Sequence, residues 1–237
     1  MVELGQIALI LSFMMATYST VVGFAGGMLN GRDLAASARW GFYSICPLLI
    51  LATASLIYAF VTNDFSVKYV AENSNIAMPK IYSWVAFYSG NAGSLLYIAV
   101  AFSVMAGITI RILNSKLPYT SPYALGVMSM VLLFFLAVIL FLANPLDRHE
   151  IALEDGQGMN PLLIHFGMFI HPPFQMLGLI SVALPFSIAI GALLAGRGGR
   201  DEWVDQGRLW GMVSWLLLTT GLLLGAWWAY TILGWGG

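Results

Sequence analysis

Six apolar stretches dominate this sequence, each reaching the roughly 20 residues that a helix needs to cross a bilayer. They run approximately over residues 4–29, 40–62, 92–113, 123–144, 174–195 and 209–233, and the charged residues collect between them. With 59% hydrophobic and 9% charged residues, the chain lacks the charge for a soluble surface, which takes roughly a quarter of the residues. The fold this implies is an all-α integral membrane protein, a bundle of about six transmembrane helices. The links are too short to join independently folded units, so residues 1–237 are expected to form a single transmembrane helical domain. Met1-Val2-Glu3 carries no Lys or Arg, so the first run lacks the basic n-region of a cleavable signal and reads as a retained helix.

Orientation follows from the basic residues. Arg32, Arg39, Arg111, Lys116, Arg197, Arg200 and Arg208 fall in or beside the three short links, whereas Lys68, Lys80 and Arg148 fall on the other side. That asymmetry places the short links in the cytoplasm and both termini outside. Two long loops, residues 63–91 and 145–173, then lie on the outer face. In the first, Ile81, Trp84, Val85 and Tyr88 recur at helical spacing, the pattern of a short amphipathic helix along the membrane surface. In the second, Gly156, Gly158, Asn160-Pro161 and Pro172-Pro173 predict a short helix bounded by turns, with the proline pair starting the fifth span. Gly23 with Gly27, and Gly221 with Gly225, have the four-residue spacing that lets helices approach closely; plain packing explains them.

The chemistry available is narrow. The near balance of ten basic and eleven acidic residues offers no basic stripe for nucleic acid. Cys46, the single cysteine, excludes disulfides, thiolate metal sites and covalent haem attachment within this chain. No Asp, Glu, Lys or His stands near the middle of a span, so the chain lacks the buried ionisable groups of a pump or transporter. All three histidines, His149, His165 and His171, fall in the second long loop, and neutral imidazole is a good ligand for haem iron. Two readings stand side by side: interfacial polar groups satisfied by water and headgroups, or ligands. His171 differs from the others because Pro172 and Pro173 fix the backbone beside it. Trp227, Trp228, Tyr230 and Trp235 close the chain either as an interfacial aromatic belt or as the edge of a flat shelf for a porphyrin.

Several motifs, in order along essentially the whole chain, resemble the CcmF family, the large membrane component of the cytochrome c haem lyase. They are Thr62-Asn63-Asp64-Phe65-Ser66-Val67, Tyr69-Val70-Ala71, Asn73-Ser74-Asn75, Gly93-Ser94-Leu95-Leu96, Asn144-Pro145 and Met159-Asn160-Pro161-Leu162-Leu163. Ile170-His171-Pro172-Pro173, Gly225-Ala226-Trp227-Trp228-Ala229-Tyr230 and Leu233-Gly234-Trp235-Gly236-Gly237 follow. The resemblance implies a bacterial inner-membrane protein with periplasmic loops that takes haem from a periplasmic haem chaperone. It also implies that the protein supports haem attachment to apocytochrome c, which a thiol-handling partner serves. It makes His171 a haem axial ligand, beside which Trp227, Trp228 and Trp235 would be the haem shelf of the aromatic reading above. Ser89-Gly90-Asn91-Ala92 departs from the family, which usually has His and Glu there, and Ile164-His165-Phe166-Gly167 replaces the usual Gln-Asp-Pro-Gly. The family's tryptophan-rich W-W-x-W-D signature is expected immediately after Gly237, so the resemblance implies a divided protein. A second chain would supply that segment and the remaining helices, and this chain would not be catalytic alone. Membership of a haem or small-molecule exporter, or service as a scaffold without haem contact, are the alternatives.

Overall fold

The structure, a computed structural model, describes residues 1–234. Among these, six segments are helical, long and apolar enough to cross a membrane. They are α1 (Val2–Met28), α2 (Arg32–Val61), α5 (Asn91–Lys116), α6 (Ser121–Phe141), the pair α7 (Gly167–Ser181) and α8 (Ala183–Leu194), and α9 (Glu202–Leu233). Two short helices, α3 (Lys68–Asn73) and α4 (Lys80–Ala86), lie in the first long loop. A 3-10 turn over Pro161–Leu163 lies in the second, its start capped by the Asn160 side chain accepting from the Leu162 N–H. The expected six-helix architecture is present. Several helices run past their apolar stretches at the arginine-rich end, because hydropathy marks only the part that needs apolar surroundings.

Two helices and a three-residue turn make the first hairpin, α1 against α2. Small residues set its spacing and that of the neighbouring pairs. A Cβ on Gly23 would meet the Gly126 backbone nitrogen of α6 at 3.2 Å, and one on Gly178 of α7 would meet the Leu218 nitrogen of α9 at 2.5 Å. Contacts this close join helices by dispersion and not by water exclusion, since lipid tails are as apolar as the side chains. Phe42, Ile45, Leu49 and Leu56 of α2 are fully buried with Leu9, Leu96, Phe102, Leu125 and Met128. The peripheral helix is α9, in which only Gln206, Trp210, Ser214 and Gly221 are buried.

The two long loops are stitched together. Val67 and Arg148 form an antiparallel bridge. The Lys68 N–H donates to Asp147 O at 2.9 Å, the His149 N–H to Ser66 O at 2.8 Å and the Gln157 N–H to Ala71 O at 2.7 Å. The Ile76 N–H donates to the Asp155 carboxylate at 2.9 Å. Gly156 fits because any Cβ there would strike the Ser74 carbonyl, and Gly158 turns the chain at φ +87°, a conformation that costs glycine little. Beneath this seam, Tyr69 donates to Phe87 O at 3.0 Å and accepts from the Gly90 N–H at 2.8 Å. Burial pushes its phenol up to about 12, so the donor persists at any physiological pH. Gly93, at the start of α5, lies so close that a Cβ would collide with the Phe87 carbonyl and approach the Tyr69 hydroxyl to 2.7 Å.

Two local expectations need correcting. Ile81, Trp84, Val85 and Tyr88 do not present one surface stripe: Ile81 and Trp84 are exposed, whereas Val85 and Tyr88 are buried, so α4 turns its other edge into the bundle. The proline pair also does not start the fifth span. α7 begins at Gly167, and Pro172 and Pro173 sit inside it. Its opening turn is made by i+3 bonds, Met168 N–H to His165 O and Phe169 N–H to Phe166 O, each 3.0 Å. That lets the helix form ahead of the prolines.

Candidate functional site

A proline within a helix withholds the N–H that would bond the carbonyl four residues earlier. Pro172 therefore frees the Met168 carbonyl, and the buried Tyr88 hydroxyl donates to it at 3.0 Å. Burial raises the Tyr88 phenol well above its ordinary value, which keeps it a donor. The first long loop is thereby fastened to the turn of α7 that carries His171. Tyr88→Phe is expected to leave that carbonyl buried and unpaired and to cost about 1–3 kcal/mol. Thermal unfolding of the purified protein measures the loss.

His171 projects from α7 towards α9, where its Nδ1 lies 2.8 Å from the Gly221 carbonyl oxygen. A carbonyl only accepts, so Nδ1 carries a proton, and in the neutral imidazole the lone pair is then on Nε2. That is the tautomer found where a histidine binds a metal through Nε2, with a carbonyl behind it fixing the ring. Gly225 makes the arrangement possible: a Cβ there would lie 2.6 Å from the ring Cε1 and 2.8 Å from Nδ1. One helical turn earlier, Gly221 admits the Gln175 backbone, which a Cβ would meet at 2.7 Å. The two glycines thus have different tasks, helix packing for Gly221 and a window for the imidazole for Gly225.

Trp228 sits between the two nearby histidines. His165 stacks on it with centroids 6.3 Å apart and planes 10° apart, and His171 meets it edge-on at 5.7 Å. Gly167 lies beneath, where a Cβ would approach the indole Cγ to 2.5 Å. The faces of Trp228 are thus engaged inside the protein, whereas Trp227 is 42% exposed and tilts towards His165 at 5.7 Å. His165 accepts the Gly167 N–H at its Nδ1, 3.0 Å away. Its proton therefore resides on Nε2, which leaves no free lone pair for a metal in this conformation. His149 stands apart, contributing its backbone to the loop seam. Trp235 lies outside the described residues. Among those described, no group of three or more His, Cys, Asp and Glu is placed to hold a metal ion. Trp228 Nε1 and Gln175 Oε1, both beside the cluster, are buried with no hydrogen-bond partner among the described residues.

No protein-family profile matches the chain. Individual relatives do. It is 38% identical over 242 residues to the cytochrome c-type biogenesis protein CcmF of Pseudomonas fluorescens, covering 99% of this chain and 36% of that protein. It is 37% identical over 237 residues to the cytochrome c-type biogenesis protein ccl1 of Rhodobacter capsulatus, covering 100% and 36%. Over essentially its whole length the chain is similar to proteins of the CcmF family. The solved structure of a cytochrome c haem lyase CcmF has the same fold over this span, with a TM-score of 0.83, 24% identity and coverage of 100% of this chain and 37% of that one. The chain spans about 36% of the length of the curated relatives it matches. Its six apolar helices and its relatives make it a multi-pass membrane protein.

Sequence reasoning singled out His171, Trp227 and Trp228 as candidates, and left out three residues that position them: Tyr88, Gly221 through its carbonyl, and Gly225. Gly221 and Gly225 were visible only as a packing motif, because their relation to His171 depends on the register between α7 and α9, which one sequence does not encode. Tyr88 had one available signal. A proline expected within or beside a helix announces a free carbonyl, and a buried tyrosine is a fitting donor.

Proposed function

We propose that this chain is a subunit of the cytochrome c haem lyase that helps to receive haem and hold it for covalent attachment to apocytochrome c, with His171 as an axial ligand to the haem iron. The observation that carries this reading is the Nδ1–H of His171 donating to Gly221 O, which leaves Nε2 unprotonated and the ring oriented. The residues present fit the group. They offer a preset imidazole, an exposed apolar face on Trp227, and in Trp228 Nε1 a buried donor without a partner among the described residues, suited to a carboxylate of the porphyrin rim. Haem, when bound, supplies vinyl groups for thioether bonds with cysteine thiols. The chain's own residues contribute orientation and ligation rather than acid–base catalysis.

The excess of arginine at the opposite end of the bundle supports an orientation with His171 and both long loops on the periplasmic side of the bacterial inner membrane. There a haem chaperone and apocytochrome c, with its thiol-handling partner, would meet the chain. In this reading the site is completed by the remaining length of the relatives, of which this span matches about 36%, whether the same polypeptide or another carries it. The sparse burial of α9 supports it, since Trp215, Leu216, Leu222 and Leu223 are exposed and available to further helices. Residues 1–237 act as a single helical domain within that assembly.

Gly225→Ala tests the site without touching a ligand. Its methyl group would enter the space of the imidazole, so the haem absorption maximum of the purified membrane complex is expected to shift or lose intensity while helical content stays unchanged. An unaltered spectrum would detach His171 from haem. Mass spectrometry of the same preparation identifies the co-purifying chains, and recovery of this chain alone would remove a second polypeptide from the reading.

A further inference from the structure

The arginine-rich end of the bundle contains a cleft with no part in the haem reading. One lobe, of about 510 Å³, is lined by Asn30, Arg32, Arg39, Asn114 and Tyr119 among others. A second, of about 600 Å³, is lined by Arg39, Trp40, Tyr43, Arg111, Asn114 and Ser115. Arg39 and Asn114 border both, so the lobes are neighbours, and each has the size of a small-molecule site.

The cations converge for a structural reason. The Tyr43 ring of α2 lies over Gly107 of α5, where a Cβ would meet it at 3.8 Å. Arg39 precedes Tyr43 by one helical turn and Arg111 follows Gly107 by one turn, so both side chains leave their helices at the same level beside one contact. Arg197 lies over the Tyr119 ring at 4.4 Å, on the rim of the first lobe. Among the described residues the ion pairs are Arg148 with Glu3, Arg200 with Glu202 and Arg208 with Asp205. Among the described residues, Arg32, Arg39 and Arg111 have no carboxylate within salt-bridge distance, although Asp33 follows Arg32 in the first turn of α2.

Their surroundings indicate the anion. Trp40 is 73% exposed and meets Tyr43 edge-on at 5.9 Å, an aromatic pair of the sort that marks the boundary between headgroups and acyl chains. Ile112 continues the second lobe with an apolar wall. A soluble anion needs no such flank, whereas a phospholipid presents a phosphodiester to the guanidinium groups and acyl chains to the wall.

We propose that this cleft binds the phosphodiester headgroup of an anionic membrane phospholipid between Arg39 of α2 and Arg111 of α5. The site rests on the chain being a membrane protein and is independent of haem binding.

The test uses the full chain purified in neutral detergent, in whatever complex it is recovered, titrated with phosphatidylglycerol or phosphatidylcholine at equal mole fraction. Bound lipid is read by native mass spectrometry and the unfolding midpoint by thermal melting. Phosphatidylglycerol is expected to be retained and to raise the midpoint, and phosphatidylcholine to do neither. Arg39→Gln with Arg111→Gln should weaken retention by about five-fold for each charge removed. Arg200→Gln, which alters a paired arginine outside both lobes, should leave retention unchanged. Three results overturn the proposal: equal retention of both lipids, equal loss in the Arg200→Gln control, or displacement of the lipid from the wild type by inorganic phosphate at millimolar concentration. The last would assign the cleft to a free phosphate. An intact haem spectrum in the double variant separates this outcome from failure of the haem reading.

Discussion

Replacing His171 with alanine is expected to lower haem occupancy of the purified membrane complex by more than about ten-fold, since even changes to the groups behind metal ligands cost about 10–100-fold. Helical content should be unchanged, because His171 is only partly buried and its one hydrogen bond goes to a carbonyl already within helix α9. His165→Ala is the informative companion. Its Nδ1 accepts from Gly167, so Nε2 is protonated, and the absorption maximum should keep its position. Loss in both variants would point to disturbance of Trp228, which touches both rings, and not to ligation. A full haem band in His171→Ala would reduce the chain to a scaffold.

Gly93→Ala should be the most damaging single-atom change to the fold itself. The added methyl collides with a backbone carbonyl and crowds the Tyr69 hydroxyl, and neither can withdraw without giving up the Tyr69 bonds to Phe87 and Gly90. Overpacking where backbone is the obstacle costs about 3 kcal/mol or more. Denaturant unfolding in detergent should show a much lower midpoint for this variant. Gly211→Ala sets the contrast: a Cβ there meets nothing within 4 Å, and alanine is preferred to glycine inside a helix by about 1 kcal/mol. A Gly93→Ala protein as stable as the wild type would show that the turn between α4 and α5 can rearrange.

Hydropathy made the helices legible because a bilayer imposes a length and excludes charge, two constraints that a sequence displays directly. The His171 corner was legible as a rigid place, although for an incomplete reason. The prolines were expected to open a helix, yet they act from inside one, by releasing Met168 O for Tyr88. What stayed hidden was everything that depends on register between segments distant in sequence. Gly225 facing an imidazole and Gly221 facing a backbone have the same local pattern, so only the packed pair of helices tells them apart. Trp227 and Trp228 likewise looked equivalent as neighbours in an aromatic run, and helix geometry sends one outward and the other between two histidines.

The stitched loops also set a timetable for synthesis. Ile76 and the Asp155 carboxylate that receives its N–H are 79 residues apart. At about 5–20 residues per second the later partner emerges roughly 4–16 s after the earlier one. During that interval two more helices must enter the membrane. The Lys68 and Ile76 N–H groups, which bond only to the second loop, are then served by water, so this segment is the one a quality-control protease would reach first in a chain that stalls.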